Sequence, residues 1–218
     1  MDGHIKSKQR VVNHGEVLTP EWIVKAMLDL VKQETERIDS RFLEPACGTG
    51  NFLVEVLERK LRVVQERYRK SQLEYERYAI LAVSSIYGID ILEDNVEECR
   101  QRLFDIVDRQ YSTLFGQKAK PEFRDAVRYI LKRNIIWGDA LTLKTVGEKP
   151  DDIVFSEWSL ANGSLIKRRD FTFRSLLAHQ SLRETPLFSG LGEEAFIPEP
   201  VRDYPVVHFL EVAHAYEE

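Results

Sequence analysis

A short apolar run, Arg41-Phe42-Leu43, leads into Glu44-Pro45-Ala46-Cys47-Gly48-Thr49-Gly50-Asn51, and helical periodicity then resumes at Phe52, Leu53, Val56, Leu57, Leu61 and Val64. This reads as a strand, a glycine loop and a helix. Glycines at the tip of a strand let the backbone approach a ligand closely, and the following helix presents its first N–H groups to it. The alternation then repeats. Ile86 to Ile89 reads as a second strand, followed by Leu92, Val96, Cys99, Leu103 and Ile106 on one helical face. Pro121 opens a helix with Phe123, Ala126, Val127, Ile130 and Leu131 on its apolar side, and Ile135-Ile136-Trp137 and Ile153-Val154-Phe155 read as third and fourth strands. Strands alternating with helices predict an α/β fold of Rossmann-like type, a mainly parallel sheet with helices on both faces.

Upstream, Thr19-Pro20-Glu21 predicts a helix start, with threonine as cap, proline in the first turn and an acid at the positive end. Trp22, Ile23, Ala26, Met27, Leu30 and Val31 then form one apolar face that should be packed. Downstream of Phe155 the pattern weakens. Four of the eight prolines and two glycines, Gly190 and Gly192, fall between Thr185 and Pro205, which predicts an extended connection.

A chain of 218 residues with 43% apolar and 31% charged content suits one substantial soluble domain. We divide it into a core over residues 1–160 and a stretch over 161–218 that completes the core and forms a tail, without a separate target-recognition domain. The longest nearly apolar run, Tyr78 to Ile89, has 12 residues, too few to span a bilayer, so no membrane association is expected. Two cysteines, Cys47 and Cys99, and a polar N-terminus fit a reduced, cytoplasmic protein. The five histidines show no metal spacing, and no metal is assigned. The net charge is −5, but from Ser175 onward two basic residues face eight acidic ones, so the body is nearly neutral and carries basic clusters at Lys6 to Arg10, Arg59 to Lys70 and Lys167 to Arg169.

The glycine loop narrows the ligand. A phosphate-cradling loop needs a lysine after the glycines, where Asn51 and Phe52 stand. A dinucleotide fingerprint needs a third glycine and an acid about 20 residues on. Here the candidate acid, Asp90, lies 40 residues beyond Gly50. S-adenosylmethionine remains, with Asp90 placed for ribose hydroxyls and Asp139, in Trp137-Gly138-Asp139-Ala140, placed for an adenine amino group. Singly, each aspartate could equally cap a turn or a helix.

Glu44 to Leu53 resembles the first motif of the adenine-N6 DNA methyltransferases of restriction-modification systems, including the methylation subunits of type I systems. His14-Gly15-Glu16-Val17-Leu18-Thr19-Pro20 resembles the segment that precedes that motif, and the similarity covers roughly residues 14–155. The resemblance implies that Thr19 and Pro20 line the methionine end of the cofactor. It also implies that Glu44, Ala46 and the Gly48 to Gly50 backbone meet its amino acid, Asp90 its ribose and Asp139 its adenine.

That family carries Asn or Asp followed by Pro-Pro-Tyr or Pro-Pro-Phe after the fourth strand, whereas this chain reads Ile153-Val154-Phe155-Ser156-Glu157-Trp158-Ser159 and has no Asn-Pro-Pro-Tyr anywhere. Two accounts fit. Ser156 and Glu157 could replace the amine acceptors and Trp158 the stacking ring. Alternatively the chain is a cofactor-binding or regulatory subunit whose partner protein carries the catalytic motif. A methyltransferase acting on RNA or protein is a more distant third reading. Two segments could approach DNA: Glu58 to Leu81, where seven of eleven charged residues are basic and Tyr68, Tyr75 and Tyr78 are interleaved, and Lys167-Arg168-Arg169. Either could instead be a solvated charged face.

Overall fold

A computed structural model describes residue 10, residues 19–184 and residues 198–216, with the backbone alone for 179–184. The segment His14 to Leu18, the basic cluster apart from Arg10, and the part of the extended connection from Thr185 to residue 197 lie outside the described residues. No helix among the described residues is long and apolar enough to cross a membrane.

In chain order the elements are α1 (Glu21–Asp29), α2 (Lys32–Thr35), β1 (Phe42–Glu44), α3 (Asn51–Tyr68), α4 (Gln72–Ser84), β2 (Ile86–Asp90), α5 (Glu93–Phe115), α6 (Pro121–Asn134), β3 (Ile135–Asp139), β4 (Lys144–Thr145), β5 (Val154–Leu160), β6 (Leu165–Thr172), α7 (Phe173–Glu184), β7 (Arg202–Asp203), β8 (Val207–His208) and α8 (Val212–Ala215). The fold is α/β and Rossmann-like. β1, β2 and β3 pair in parallel, with Leu43 opposite Tyr87 and Ile89 opposite Ile136. Each parallel step is bridged by helices: α3 and α4 between β1 and β2, α5 and α6 between β2 and β3.

The sheet is not purely parallel, and the fourth expected strand corrects the sequence reading. β4 pairs antiparallel to β3, while β5 belongs to a separate antiparallel sheet with β6, β7 and β8. Only Ala161 to Ser164 join β5 to β6, with Gly163 at φ +66°, so the two must form a hairpin because a parallel return needs a crossover. β6 escaped notice because its inward positions include Arg168 and Asp170 beside Ile166, which hides the two-residue period.

Two apolar clusters hold these layers together. The larger lies among α3, α4, α5 and α6 and includes Leu57, Ile80, Ile86, Leu103 and Ile130. The smaller, on the other face of the parallel sheet, joins Tyr87 and Ile89 of β2 to Ile153, Phe155 and Phe173, so that face is covered by β5 and α7. Gly88 in β2 is required by close packing: a Cβ there would stand 2.9 Å from Leu53 Cδ1 and 3.0 Å from Cys47 Sγ.

α1 departs from expectation in two ways. Pro20, not Thr19, takes the cap position, and its carbonyl accepts from the N–H groups of Ile23 and Val24 at 3.0 Å each. The helix buries Val24 and Leu28, whereas Trp22 is 72% and Leu30 86% exposed. The apolar stripe therefore points outward, because this short helix meets α3 along the 24–28 line instead. The stretch from Glu58 to Leu81 is likewise not a free basic surface. It forms the α3–α4 hairpin: Tyr68 and Tyr78 stack at 3.9 Å, Tyr75 is buried, Lys60 is buried, and Arg59 pairs with Glu55 and Asp29 at 2.8 Å each.

Lys60 donates to the carbonyls of Ile38 and Ser40 and to Ser85 Oγ, tying the approach to β1 onto α3. Burial pulls its ammonium down to about 7, against a smaller opposing pull from Asp39. The unfolded chain keeps that proton to roughly pH 10.4, so between pH 7 and 10 the unfolded state binds more protons and stability should rise with pH. The expected slope from Lys60 reaches at most about 1.4 kcal/mol per pH unit. Lys60→Met should remove it, which urea denaturation of both proteins across this window would show; equal slopes would refute the assignment.

Candidate functional site

All three parallel strands end on a carboxylate: β1 at Glu44, β2 at Asp90 and β3 at Asp139. Parallel strands bring their carboxyl ends to one edge, and a crevice opens there. Its volume is about 540 Å³, and Thr19, Glu44, Ala46, Gly48, Asp90 and Asp139 all line it, together with Asn51, Phe52, Leu92 and Asn95. Pro20 and Gly50 do not line it. Gly50 instead ends the loop at φ +88°, and a Cβ there would fall 2.6 Å from Cys99 Sγ, so only glycine fits the turn into α3.

The loop is braced from both sides. Asp90 Oδ2 accepts from Gly48 N–H at 2.8 Å, while Oδ1 accepts from Leu92 N–H at 2.9 Å and from Asn95 Nδ2 at 3.2 Å. Arg102, on α5, donates to Thr49 O at 2.7 Å, Thr49 Oγ1 at 3.0 Å and Asn51 Oδ1 at 2.8 Å. Asn51 Nδ2 in turn donates to Thr19 O at 2.9 Å, so one chain of hydrogen bonds runs from α5 through the loop to the segment before α1. Sequence reading missed Arg102, Asn51 and Asn95. Asn51 directly follows the glycines and could have been flagged, but nothing in the sequence connects Arg102 to a loop 53 residues away. Arg102→Ala should loosen this loop and cost about 1–3 kcal/mol of stability, with Arg102→Lys recovering part of it; thermal unfolding of the three proteins would measure this.

Among the described residues no lysine, arginine or histidine lines the cleft. Two arginines stand just behind its wall: Arg102 on Asn51 at 2.8 Å, and Arg10, which pairs with Asp94 at 2.6 Å and reaches Asn95 Oδ1 at 3.0 Å. Burial pushes the Glu44 carboxyl above its ordinary range, partly offset by the Ala46 N–H. Asp139 is held below its ordinary range, chiefly by the Leu141 N–H and also by Thr142. Its Oδ1 accepts from Leu141 N–H at 2.9 Å, so it shapes the turn after β3 while lining the cleft. Cys47 and Cys99 are buried side by side behind the loop, and each other's proximity and burial push the Cys47 thiol up, the opposite of an activated nucleophile.

The residues expected to replace the catalytic motif are placed elsewhere. β5 starts beside β3, where Ile153 contacts Gly138, and runs toward the opposite end of the sheet. Ser156 is buried against Asp170 at 2.7 Å, and Glu157 pairs with Arg41, just before β1, and with Arg169. Trp158 is 4% exposed and donates to Asn134 Oδ1 at 3.2 Å, at the end of α6, so its ring is already stacked into the core. None of the three lines the cleft. The basic trio does not form one row: Arg168 is buried on Asp170, whereas Lys167 pairs with Asp203 at 2.5 Å and Arg169 with Glu157 at 2.6 Å. The alternation of β6 turns Arg168 to the face opposite its two neighbours. Among the described residues no cluster of three or more His, Cys, Asp or Glu could hold a metal.

No curated protein and no solved structure matches this chain. The family model of the MmeI DNA-methyltransferase domain matches residues 21–150, more than half of the chain and a span that takes in the glycine loop and all three strand-end carboxylates. The parallel α/β core, its glycine loop and its three strand-end acids all lie within the matched span, and the chain belongs to the MmeI DNA-methyltransferase domain family.

Proposed function

We propose that the cleft binds S-adenosylmethionine, with Thr19, Pro20, Glu44, Ala46, Gly48, Gly50, Asp90 and Asp139 forming or framing its site, and that the chain serves DNA adenine-N6 methylation in a restriction-modification system. The observation that carries the cofactor reading is the sign of the cleft. Three carboxylates, with no basic residue among the described lining residues, would repel a pyrophosphate but suit a ligand bearing a sulfonium and an ammonium. The glycine loop lets such a ligand meet backbone N–H groups through its own carboxylate. When bound, the cofactor supplies an activated methyl group; this chain's residues hold and orient it.

The burial of Trp158 and the pairing of Glu157 favour the second sequence-level account, in which the residues that accept the target amine come from a partner subunit. DNA and that subunit are then joint partners of the chain. Isothermal titration with S-adenosylmethionine, run beside methyl transfer to unmethylated genomic DNA with and without the neighbouring gene products, tests this. Binding by the chain with transfer only in the partner's presence is expected. Transfer by the isolated chain would overturn the split reading, and absence of binding would overturn the cofactor reading.

The raised Glu44 carboxyl gives the affinity a pH signature. As pH falls below neutrality Glu44 takes up a proton at milder acidity than a solvated glutamate, one negative charge leaves the cleft, and a cationic ligand should bind more weakly. Titrations at successively lower pH from 7.5 should show the wild-type affinity falling, and Glu44→Gln should bind weakly at every pH.

A further inference from the structure

A second cavity, of about 330 Å³, lies on the face of the parallel sheet that β5 and α7 cover and shares no lining residue with the cleft. Its walls are Leu43, Tyr87, Phe155, Phe171, Phe173 and Leu177. Tyr87, Phe155, Phe171 and Phe173 are each at most 8% exposed and form a buried aromatic floor, while Leu43 and Leu177, 42% and 38% exposed, stand at its open side. Its mouth is charged: Glu157 receives Arg41 on one carboxylate oxygen and Arg169 on the other. Two guanidiniums on one carboxylate give this mouth an excess of one positive charge among the described residues, and Arg169 also lies over the Phe171 ring at 5.8 Å.

We infer that this cavity is a binding site for a small apolar monoanion, an aryl or medium-chain alkyl carboxylate, whose body fills the aromatic interior and whose carboxylate joins Glu157 between the two arginines. Three observations select that class. The volume falls at the lower end of the range for small-ligand pockets. The polar groups along the walls are already satisfied, Tyr87 Oη on Ser156 O at 3.0 Å and Ser156 Oγ on Asp170 Oδ1 at 2.7 Å. A nucleobase would bury unpaired polar edges there at about 1–3 kcal/mol each, whereas a hydrocarbon or phenyl body would not. The residual positive charge at the mouth then selects an anion and supports charge-assisted hydrogen bonds.

Decanoate and its neutral isostere decanamide are suitable probes, titrated calorimetrically into the intact chain at pH 7.5 with and without saturating S-adenosylmethionine. Decanoate should bind at least about tenfold more tightly than decanamide, as one charge-assisted bond supplies. Arg41→Gln, at a side chain 59% exposed and therefore safe for folding, and Arg169→Gln should each bring decanoate down toward decanamide while leaving decanamide unchanged. Equal binding of the two probes, binding of neither, decanoate affinity that survives both substitutions, or displacement by S-adenosylmethionine would each overturn the assignment. The readout does not involve the cleft, so it stands even if the cofactor reading fails.

Discussion

Arg168→Ala should lower the free energy of unfolding by about 3–5 kcal/mol, the usual cost of stripping one partner from a buried ion pair. Arg168 is 1% exposed, and every part of its guanidinium is engaged: Nη2 with Asp170 Oδ2 at 2.6 Å, Nε with Asp170 Oδ1 at 2.9 Å and Ser156 Oγ at 3.1 Å, Nη1 with Tyr129 Oη at 2.8 Å. Tyr204 stacks on it at 4.1 Å, and Tyr129, Trp158 and Tyr216 close the cage. The group joins β5, β6, α6 and the C-terminal segment, so its loss leaves Asp170 charged and buried where those elements meet. Urea denaturation of wild type, Arg168→Ala and the double variant Arg168→Met/Asp170→Leu would decide it. The double variant should recover much of the loss because no lone charge remains. A single-variant cost below about 1 kcal/mol would mean that the cage is not a stabilising centre.

Asp90→Ala should weaken S-adenosylmethionine binding by roughly 10- to 150-fold, the equivalent of one or two charge-assisted hydrogen bonds. Two losses combine. The carboxylate at the end of β2 disappears from the centre of the cleft, and the Gly48 N–H, held at 2.8 Å from Asp90 Oδ2, loses the acceptor that fixes the loop. Asp90→Asn should fall between, because the amide oxygen can still accept from Gly48 while the charge is gone. Calorimetric titration of the three proteins separates the contributions. An unchanged affinity in Asp90→Ala would remove Asp90 from the site.

The cleft was legible in the sequence because its parts are local. A glycine loop needs only adjacent residues, and each acid stands at the end of a strand whose apolar run marks it. Six of the eight residues singled out there meet in one crevice. Pro20 and Gly50 shape the backbone around it instead, Pro20 by closing the start of α1 and Gly50 through its positive φ.

The segment after Phe155 was illegible for a physical reason. Side-chain identities at Ser156, Glu157 and Trp158 suit chemistry, but which face each one takes depends on the pleat of β5 and on what β6 brings across from it. Arg168 looks like a surface cation in the sequence and becomes a core residue only because Asp170, two positions on along the same strand, turns to the same side, and because Trp158 across the hairpin and Tyr129, Tyr204 and Tyr216 from elsewhere in the chain surround its guanidinium. The exposed stripe of α1 is the converse case: its apolar periodicity predicts a packed face at Trp22, Met27 and Leu30, yet packing against α3 takes the line through Val24 and Leu28 and leaves that stripe exposed.

What this sequence determined by itself was the alternation of strand and helix, the glycine loop and the three acids at strand ends, since these follow from residue propensity and short-range periodicity. Only the tertiary structure decided that the last long strands form an antiparallel hairpin over the second face, that Trp158 and Arg168 are core residues, and that Arg41, Glu157 and Arg169 meet at the mouth of a second cavity. Such outcomes depend on contacts between residues as much as 116 positions apart, and chain topology, not local pattern, sets which of those contacts form.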